Sequence, residues 1–404
     1  MINFFKSISI LLNTSKNKYI LLKTKKKNLN EVLNYISADD IFSNKNIPSF
    51  KNSAMDGYAI KFNDKYNKFE KPVFFNIIKT IQAGDFFEKK ITYGNEALEI
   101  MTGARLPANF NTVIKYEDVL NKNKIGFVIN KPFKKFENVK LIGEDIKIGE
   151  KIISQGKLIN ISDVTVLSTI GIKKINIFNY PDIFLINTGN EISDQNDSSN
   201  YISISNTSKA YIFSFLKNLN INIKNSQTIK DNFKHFINNI KKIWLINNIS
   251  IFITTGAVSK GQSDFIPSIL KLIGIDILFH SINIKPGKPI LFGKFKNFVF
   301  FFCLPGNPIS TMIGIRFFFH TFLMLILGQN LEEPVISNMQ NNIKNKKDTF
   351  FKSVSYFENN NLINIISDNQ ESFKVKPLLK TNSFVFIKKN GNKKYIYFNY
   401  KTLI

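Results

Sequence analysis

The chain has 404 residues, of which 44% are hydrophobic and 21% are charged. This composition excludes wholesale disorder, and at about 100–200 residues per domain the length predicts about two to four globular domains. A single cysteine, Cys303, excludes a disulfide framework and a cysteine-based zinc cluster, and it fits a protein of the reducing cytoplasm. Three histidines in the whole chain argue against a histidine-rich metal site.

The balance of 55 basic against 30 acidic residues gives a formal net charge of +25, which raises the question of a nucleic-acid partner. Arginine, the preferred reader of bases and phosphates, occurs only at Arg105 and Arg316, so nearly all of the positive charge is lysine. The chain is also rich in Asn, Ile and Phe, whose codons, like those of Lys, are rich in A and T. We therefore interpret the charge as a solvated lysine surface and expect no specific nucleic-acid partner.

The apolar segments do not predict a membrane partner. Residues Met1–Leu12 are apolar but short, and lysines follow them instead of preceding them, unlike a secretory signal. No run approaches the ~20 apolar residues needed to span a bilayer. The longest run, Phe298–Leu304, is typical of a buried strand, so we expect a soluble, cytoplasmic protein.

The first half of the chain predicts helical, β-rich and mixed segments in turn. Up to about Ile47 the pattern is helical, with apolar residues at helix spacing: Leu29, Val32, Leu33 and Ile36. From Pro48 to Asn138, short β segments such as Val73–Ile78 and Gly126–Ile129 alternate with Gly, Pro and Asn. A return segment, Ile142–Ile172, carries two glycine turns and an apolar helix near Ser162–Ile170.

The second half of the chain predicts an α/β domain and a β-rich tail. Strands and helices alternate along the sequence: Ile183–Asn187, Lys209–Leu219, Ile249–Thr254, Ile266–Ile273, Phe298–Leu304 and Ile309–Leu327. This alternation indicates a largely parallel sheet. Beyond Gly328, three apolar pieces predict a small β domain: Phe350–Phe357, Leu362–Ile366 and Ser383–Lys388.

Three strands of the α/β domain run into glycine-rich loops. These loops are Thr188-Gly189-Asn190-Glu191, Thr255-Gly256-Ala257-Val258-Ser259-Lys260-Gly261, and Pro305-Gly306-Asn307-Pro308. One such loop would be a tight turn, but ligands of open α/β sheets collect beyond the carboxyl ends of the strands. Glycines there let backbone amides approach an anion, and a following helix adds its dipole. Three such loops therefore predict a ligand that bears phosphate.

Charged residues near these loops fit the same ligand. Lys285 and Lys288 lie on a stiff Pro-Gly-Pro frame, where an oxyanion contact competes with the alternative of two solvated lysines. Asp264 and Glu191 follow two of the loops and could hold Mg²⁺ against phosphate oxygens, because hard carboxylates suit that ion. A helix N-cap is the alternative for Asp264.

A second cluster of polar residues lies in the β-rich region. Asp56 stands among small residues in Asn52-Ser53-Ala54-Met55-Asp56-Gly57-Tyr58-Ala59, Thr102 precedes a glycine in Ile100-Met101-Thr102-Gly103-Ala104, and Asp145 follows Gly143-Glu144. Spacing alone leaves these segments open to interpretation as ordinary turns.

These segments together resemble one family, the molybdopterin molybdenumtransferases, to which the catalytic domain of gephyrin also belongs. The resemblance rests on seven segments in the family's order: NSAMDGYA (52–59), MTGA (101–104), GEDI (143–146), TGNEI (188–192), TGAVSKGQSD (255–264), KPGKP (285–289) and LPGNP (304–308). It runs from about Leu29 to Leu327, and the β tail is similar to the family's C-terminal domain.

The resemblance implies a multidomain α/β architecture and a homodimer whose active site lies at the interface. The implied parts are a linking domain (1–47 and 142–175), a β-rich lobe (48–141), a molybdopterin-binding α/β domain (176–328) and a C-terminal β barrel (329–404). The implied reaction inserts molybdate into adenylylated molybdopterin with Mg²⁺ and releases AMP. An upstream molybdopterin adenylyltransferase is the implied partner.

Site residues carry over position by position. The resemblance implies catalytic roles for Asp56, Thr102, Asp145, Glu191, Asp231 and Lys285, with Asp231 in drifted surroundings. It implies substrate contacts for Gly256, Ser259, Gly261, Lys288, Pro305, Gly306, Asn307 and Pro308, and a metal role for Asp264 with Glu191. The carboxylates would position metal, water and molybdate, while Mg²⁺ and lysine would offset phosphate charge.

Three positions depart from the family pattern. Ser281 stands where many relatives carry a second lysine, Ala257 replaces the second glycine of the middle loop, and Asn206 opens a changed Asp-x-Asn motif. Lys288 or Lys260 could replace the missing lysine. An inactive scaffold that keeps the fold is therefore one alternative, and a molybdopterin adenylyltransferase is another, although the 52–59 and 143–146 segments argue against it.

Overall fold

The computed structural model describes residues 1–16, 18–64, 71–88, 94–193, 204–240, 246, 248–259, 264–338, 347–358, 361–367 and 370–398. Within these residues the chain forms several sheets, of which a central mixed sheet and two β-rich sheets are the largest.

The N-terminal segment begins with the α-helix α1 (Phe4–Ser15), and the short strands β1 (Thr24–Asn28) and β2 (Ile41–Phe42) follow it. Asn3 caps α1 by accepting a hydrogen bond from the Lys6 amide at 2.8 Å. The apolar face of α1 packs into the core of the α/β region through Phe4 and Leu11. The apolar start of the chain is therefore a core-packing helix.

The prediction of a helix through Leu29, Val32, Leu33 and Ile36 was wrong. Only a 3₁₀ turn, Leu29–Glu31, forms there, and Asn34 has φ of +65°, a left-handed conformation that a helix excludes. Val32 and Ile36 are buried because an irregular segment turns them inward, while Leu33 is 37% exposed. The apolar spacing therefore matched a helix although the segment is an irregular loop that buries Val32 and Ile36.

The described residues of the β-rich lobe form seven strands: β3 (Asn52–Ser53), β4 (Gly57–Ile60), β5 (Val73–Ile81), β6 (Glu96–Ile100), β7 (Thr112–Lys115), β8 (Gly126–Ile129) and β9 (Val139–Lys140). Five of them form a sheet of order β7-β4-β6-β5-β8, with apolar clusters of its own around Phe75 and Leu98. Gly57 is required in β4, because a Cβ there would lie 2.0 Å from the Ile114 carbonyl oxygen.

A return segment packs on the N-terminal strands through β10 (Lys151–Ile153), α2 (Ile161–Thr169) and β11 (Lys174–Phe178). β1 pairs with β11 and β2 with β10, both antiparallel. Asn160 and Asp163 form a reciprocal capping box at the start of α2, which confirms the helix predicted near Ser162–Ile170. The two segments share one apolar cluster, which includes Val32 and Leu167.

The α/β region alternates strands and helices as predicted. Its elements are β12 (Asp182–Thr188), β13 (Ile192–Ser193), β14 (Ile204–Ser205), α3 (Thr207–Asn218), β15 (Ile223–Ile229), α4 (Phe233–Ile240), β16 (Ser250–Thr255), α5 (Ile266–Leu272), β17 (Asp276–His280), β18 (Ile284–Lys285), β19 (Leu291–Phe295), β20 (Val299–Leu304), α6 (Pro308–Gly314) and α7 (His320–Ile326). The sheet order is β15-β12-β16-β20-β19-β17, in which the first four strands are parallel. The predicted parallel-rich sheet is confirmed.

The sheet is covered on both faces, which explains its continuous apolar runs. Every residue of β16 and β20 is buried, with one apolar cluster on each side of the sheet. A π-helical segment, Ile315–Phe319, joins α6 and α7 into one long helix.

This long helix corrects the expectation that no segment approaches a membrane span. Among the described residues, Pro308–Ile326 is long and apolar enough to cross a bilayer by length and composition. However, 78% of its apolar window is buried inside the protein. Its apolar character is therefore explained by packing in the core.

The C-terminal region forms the predicted β-rich tail: β21 (Val335–Asn338), β22 (Asp348–Glu358), β23 (Asn361–Ile366), β24 (Ser383–Ile387) and β25 (Lys393–Phe398). β22 also pairs with β18, so that Lys285 lies opposite Thr349. On the other side, the Asn283 amide donates to the Ile2 carbonyl at 2.7 Å. The segment that carries Lys285 is thus held from both sides by distant parts of the chain.

Candidate active site

Asp56 and Thr102, two residues singled out separately in the sequence, are in direct contact. The Asp56 Oδ1 atom accepts two hydrogen bonds of 2.7 Å, one from the Thr102 amide and one from its hydroxyl. Asp56 lies in the turn before β4 and Thr102 in the turn after β6, and both are exposed. Strands β4 and β6 pair with Gly57 opposite Ile100, which brings the two turns together.

These hydrogen bonds lower the pKa of Asp56, the Thr102 amide contributing most and the Thr102 hydroxyl next. The carboxylate therefore stays charged at a lower pH than an ordinary aspartate would. The pair presents a fixed negative charge and a hydroxyl at the surface of the β lobe, an arrangement suited to positioning a metal, water or oxyanion ligand.

Thr102→Val should raise the pKa of Asp56 toward its ordinary value, because it removes the hydroxyl donor and keeps the amide. Activity that depends on the charged form would then be lost at a higher pH on the acid side of the profile. Carboxyl NMR titration of Asp56 in both proteins measures the shift directly. An unchanged Asp56 titration in the variant would contradict this account.

The three glycine loops of the α/β region converge at the carboxyl edge of its sheet. Gly256 has φ of +90°, and a Cβ there would lie 2.3 Å from the Thr188 carbonyl oxygen. A Cβ at Gly306 would lie 3.8 Å from the Gly256 Cα, so the second and third loops are neighbours as well. The ends of three parallel strands thus form one surface, as the topology predicts.

Buried polar atoms without partners lie at this same edge. The Thr255 hydroxyl donates to the Asn187 side chain at 2.8 Å, yet the Asn187 amide nitrogen has no hydrogen-bond partner among the described residues. Within the same part of the chain, the Asp231 Oδ1 and Asn307 Oδ1 atoms are also buried without one. Buried polar groups are normally satisfied, so their grouping at one edge indicates a ligand-binding surface.

The third loop is held by hydroxyl groups from two helices. The Thr311 hydroxyl lies 2.6 Å from the Pro305 carbonyl oxygen, and the Ser208 hydroxyl lies 3.2 Å from the Gly306 carbonyl oxygen. Pro308 starts α6, where its missing amide costs nothing. Pro305, Gly306, Asn307 and Pro308 are thereby held beside Gly256. Ser208 and Thr311 were missed in the sequence, since no local signal links residues 103 positions apart.

The negative charges of two acidic residues, Glu191 and Asp264, act on the carboxylate of a third, Asp231. Burial raises the pKa of Asp231, and the negative charges of Glu191 and Asp264 raise it further, against hydrogen bonds from Thr188 and Asn190. Mutual repulsion of this kind is what a bound cation relieves.

Carboxylate oxygens, the type of ligand that Mg²⁺ takes in proteins, are available at this position. Within the described residues, no group of three or more His, Cys, Asp or Glu side chains is arranged to hold a metal by itself. Mg²⁺, however, usually takes one or two carboxylates and completes its shell with water and substrate phosphates. The unpartnered Asp231 oxygen and the neighbouring charges of Glu191 and Asp264 supply such oxygens.

Four other predicted site residues, Lys285, Lys288, Asp145 and Ser259, are exposed. Lys285 and Lys288 are exposed around the Pro286-Gly287 turn, in which Gly287 has φ of +99°. Asp145 is exposed in the return segment, where its amide donates to the Ile47 carbonyl at 3.0 Å. Ser259 is exposed at the end of the described part of the middle loop, and Gly261 with Lys260 lies outside the described residues.

The three departures have different structural consequences. Ala257 has φ of +47°, so alanine occupies a left-handed position that glycine would adopt without strain. Asn206 caps α3 by accepting from the Lys209 amide at 3.0 Å, so this position keeps a structural role. Ser281 is 7% exposed and carries no charge. The positive charge of the described residues 281–289 therefore comes from Lys285 and Lys288.

Two family descriptions match successive parts of this chain. The family description "MoeA N-terminal region (domain I and II)" matches residues 6–171, and "Probable molybdopterin binding domain" matches residues 184–324. The chain is therefore a molybdopterin-binding α/β protein with an additional N-terminal part.

A molybdopterin molybdenumtransferase of Staphylococcus epidermidis is 32% identical over 320 residues, which cover 79% of this chain and 75% of that protein. One of Haemophilus influenzae is 30% identical over 335 residues, covering 82% and 77%. A crystal structure of the molybdopterin biosynthesis moeA protein from Pyrococcus horikoshii OT3 has the same fold, with a TM-score of 0.79, 24% identity and coverage of 98% and 100%. The chain belongs to the molybdopterin molybdenumtransferase family.

Proposed function

We propose that the protein inserts molybdate into adenylylated molybdopterin in a Mg²⁺-dependent reaction that releases AMP. The observation that carries this proposal is the convergence of three glycine loops with buried, unpartnered polar atoms at one sheet edge. That edge offers backbone amides and a carboxylate group to a ligand with both a polar pterin and phosphates. The family of the relatives supplies the reaction class.

Each group of residues has a role in this reaction. The loops at Gly256 and Gly306 bind the pterin and its phosphates, and Lys285 and Lys288 balance the charge of the phosphates and of molybdate. Glu191 and Asp264 would hold Mg²⁺ together with phosphate groups of the substrate, and the ion would offset the phosphate charge. Asp231 is proposed as a further catalytic carboxylate. Asp56 and Thr102 position molybdate or water at the dithiolene, and Asp145 adds a further carboxylate.

The active site is proposed to lie at the interface of a homodimer. Asp56 and Thr102 belong to a lobe with its own apolar clusters, which share no residue with the clusters beneath the glycine loops. Two subunits that exchange these surfaces would join both groups in one site. The proposed domains are 1–47 with 142–175, 48–141, 176–328 and 329–404.

The cellular setting follows from the proposed substrate. An adenylyltransferase must supply adenylylated molybdopterin, so it is the proposed upstream partner, and the proposed location is the cytoplasm. The protein is not proposed to be that adenylyltransferase itself, because the Asp56–Thr102 pair belongs to a lobe outside the α/β region. An inactive scaffold would need neither this pair nor the grouped acids.

The test is AMP release from adenylylated molybdopterin with Mg²⁺, measured with and without molybdate. We expect release to depend on molybdate and to stop when Mg²⁺ is chelated. A folded protein that releases AMP equally without molybdate would be a simple hydrolase. Absence of release under every condition would favour the scaffold.

A further inference from the structure

Ser53 is a fully buried hydroxyl residue at the start of the turn that leads to Asp56. Its exposed fraction is 0%. Its Oγ atom donates to the Met55 carbonyl oxygen at 2.5 Å and accepts from the Met55 amide at 3.4 Å. The hydroxyl therefore closes a local turn, and the residue after that turn is Asp56.

The backbone of Ser53 also joins this turn to the one that carries Thr102. Its amide donates to the Ala104 carbonyl oxygen at 3.0 Å, and its carbonyl oxygen accepts from the Gly103 amide at 2.8 Å. Ser53 thus forms hydrogen bonds both within the turn that carries Asp56 and to the turn that carries Thr102.

We propose that Ser53 is a positioning residue that sets the Asp56 turn in register with the Thr102 turn. The effect of Ser53 on catalysis rests on the proposed function, whereas its effect on the position of Asp56 does not. Two hydrogen bonds of 2.7 Å to one carboxylate oxygen require both turns to be placed within a few tenths of an ångström.

Loss of the hydroxyl should displace Asp56 without unfolding the lobe. In Ser53→Ala the backbone bonds to Gly103 and Ala104 remain, and only the two Oγ bonds disappear. Met55 is 41% exposed, so the turn lies at the surface of the lobe and has room to adjust. The turn then relaxes, and Asp56 loses its alignment with Thr102.

The chain offers a matched control in Ser37. It is also 0% exposed, and its Oγ donates to the carbonyl oxygen two residues ahead, that of Asp39, at 2.7 Å. It lies in the segment before β2, away from the Asp56 turn. Ser37→Ala therefore removes the same kind of bond and carries a similar cost in stability, about 1 kcal/mol.

The experiment compares Ser53→Ala and Ser37→Ala with the wild-type protein by thermal unfolding, kcat, KM and carboxyl NMR titration of Asp56. We expect similar falls in Tm for both variants. Only Ser53→Ala should lower kcat, by about 10- to 100-fold with a smaller change in KM, since small displacements of a positioned group cost that much. Only Ser53→Ala should raise the Asp56 pKa.

Two results would overturn the proposal. One is an Asp56 titration in Ser53→Ala that equals the wild-type curve. The other is a loss of kcat that is the same in both serine variants and follows their loss of stability. If the wild-type protein releases no AMP, the proposed function fails, but the titration arm still decides whether Ser53 positions Asp56.

Discussion

Asp56→Asn should lower the rate of molybdate-dependent AMP release by about 100-fold or more, as loss of a preorganised charge in an active site does. Asparagine keeps the size of the side chain and an oxygen that can accept from Thr102, so the turn should keep its shape. Only the negative charge is lost. Because Asp56 is exposed and its turn is kept, the Tm should stay close to that of the wild-type protein.

Asp85→Asn is the matched control for this variant. Asp85 is an exposed aspartate of the same lobe, and its carboxylate likewise accepts a backbone hydrogen bond, from the Gln82 amide at 2.9 Å. We expect wild-type rates from it. Equal rates in the two variants, both near wild type, would remove Asp56 from the proposed site.

The same variant tests whether the site is shared between subunits. The experiment mixes Asp56→Asn subunits with Lys285→Ala subunits, each inactive alone. If each site takes these two residues from different subunits, about half of the randomly mixed dimers are heterodimers, and one of their two sites is intact. Mixing should then restore about a quarter of the sites. No recovery on mixing, with subunit exchange confirmed, would place Asp56 and Lys285 of one subunit in one site.

Much of the α/β region could be predicted because its sequence signals are local. The run Phe298–Leu304 has the apolar composition of a strand buried on both faces, and Pro308 after Gly306 marks a helix start. Once these strands are parallel, their loops must share one edge of the sheet. The convergence of Gly256 and Gly306 therefore follows from sequence pattern and topology together.

Features that depend on distant residues could not be predicted in the same way. The hydrogen bonds between Asp56 and Thr102 join positions 46 residues apart, and the register of β4 and β6 decides them. Serine is an ordinary residue of exposed turns, so the sequence does not indicate that Ser53 is fully buried. Likewise, the helical spacing of the apolar residues in Leu29–Ile36 could not reveal that Asn34 has a left-handed backbone conformation, which a helix excludes.

Gly256→Ala should destabilise the protein by about 2–4 kcal/mol and abolish substrate binding, because it combines backbone strain with steric overlap. Its φ of +90° disfavours any side chain, and the new Cβ would lie 2.3 Å from the Thr188 oxygen and 2.7 Å from the Thr188 hydroxyl. Backbone atoms cannot yield as a flexible side chain does. The first and middle loops would have to separate, and the surface they form together would be lost.

Gly274→Ala separates the two causes. Gly274 has φ of +81°, yet no atom of the described residues lies within 4 Å of its added Cβ, so this variant measures strain alone, at about 1 kcal/mol. Urea unfolding of both variants and binding of molybdopterin by the folded fraction give the comparison. If Gly256→Ala lost no more stability than Gly274→Ala and still bound molybdopterin, the contact between the Thr188 and Gly256 loops would not be what forms the binding surface.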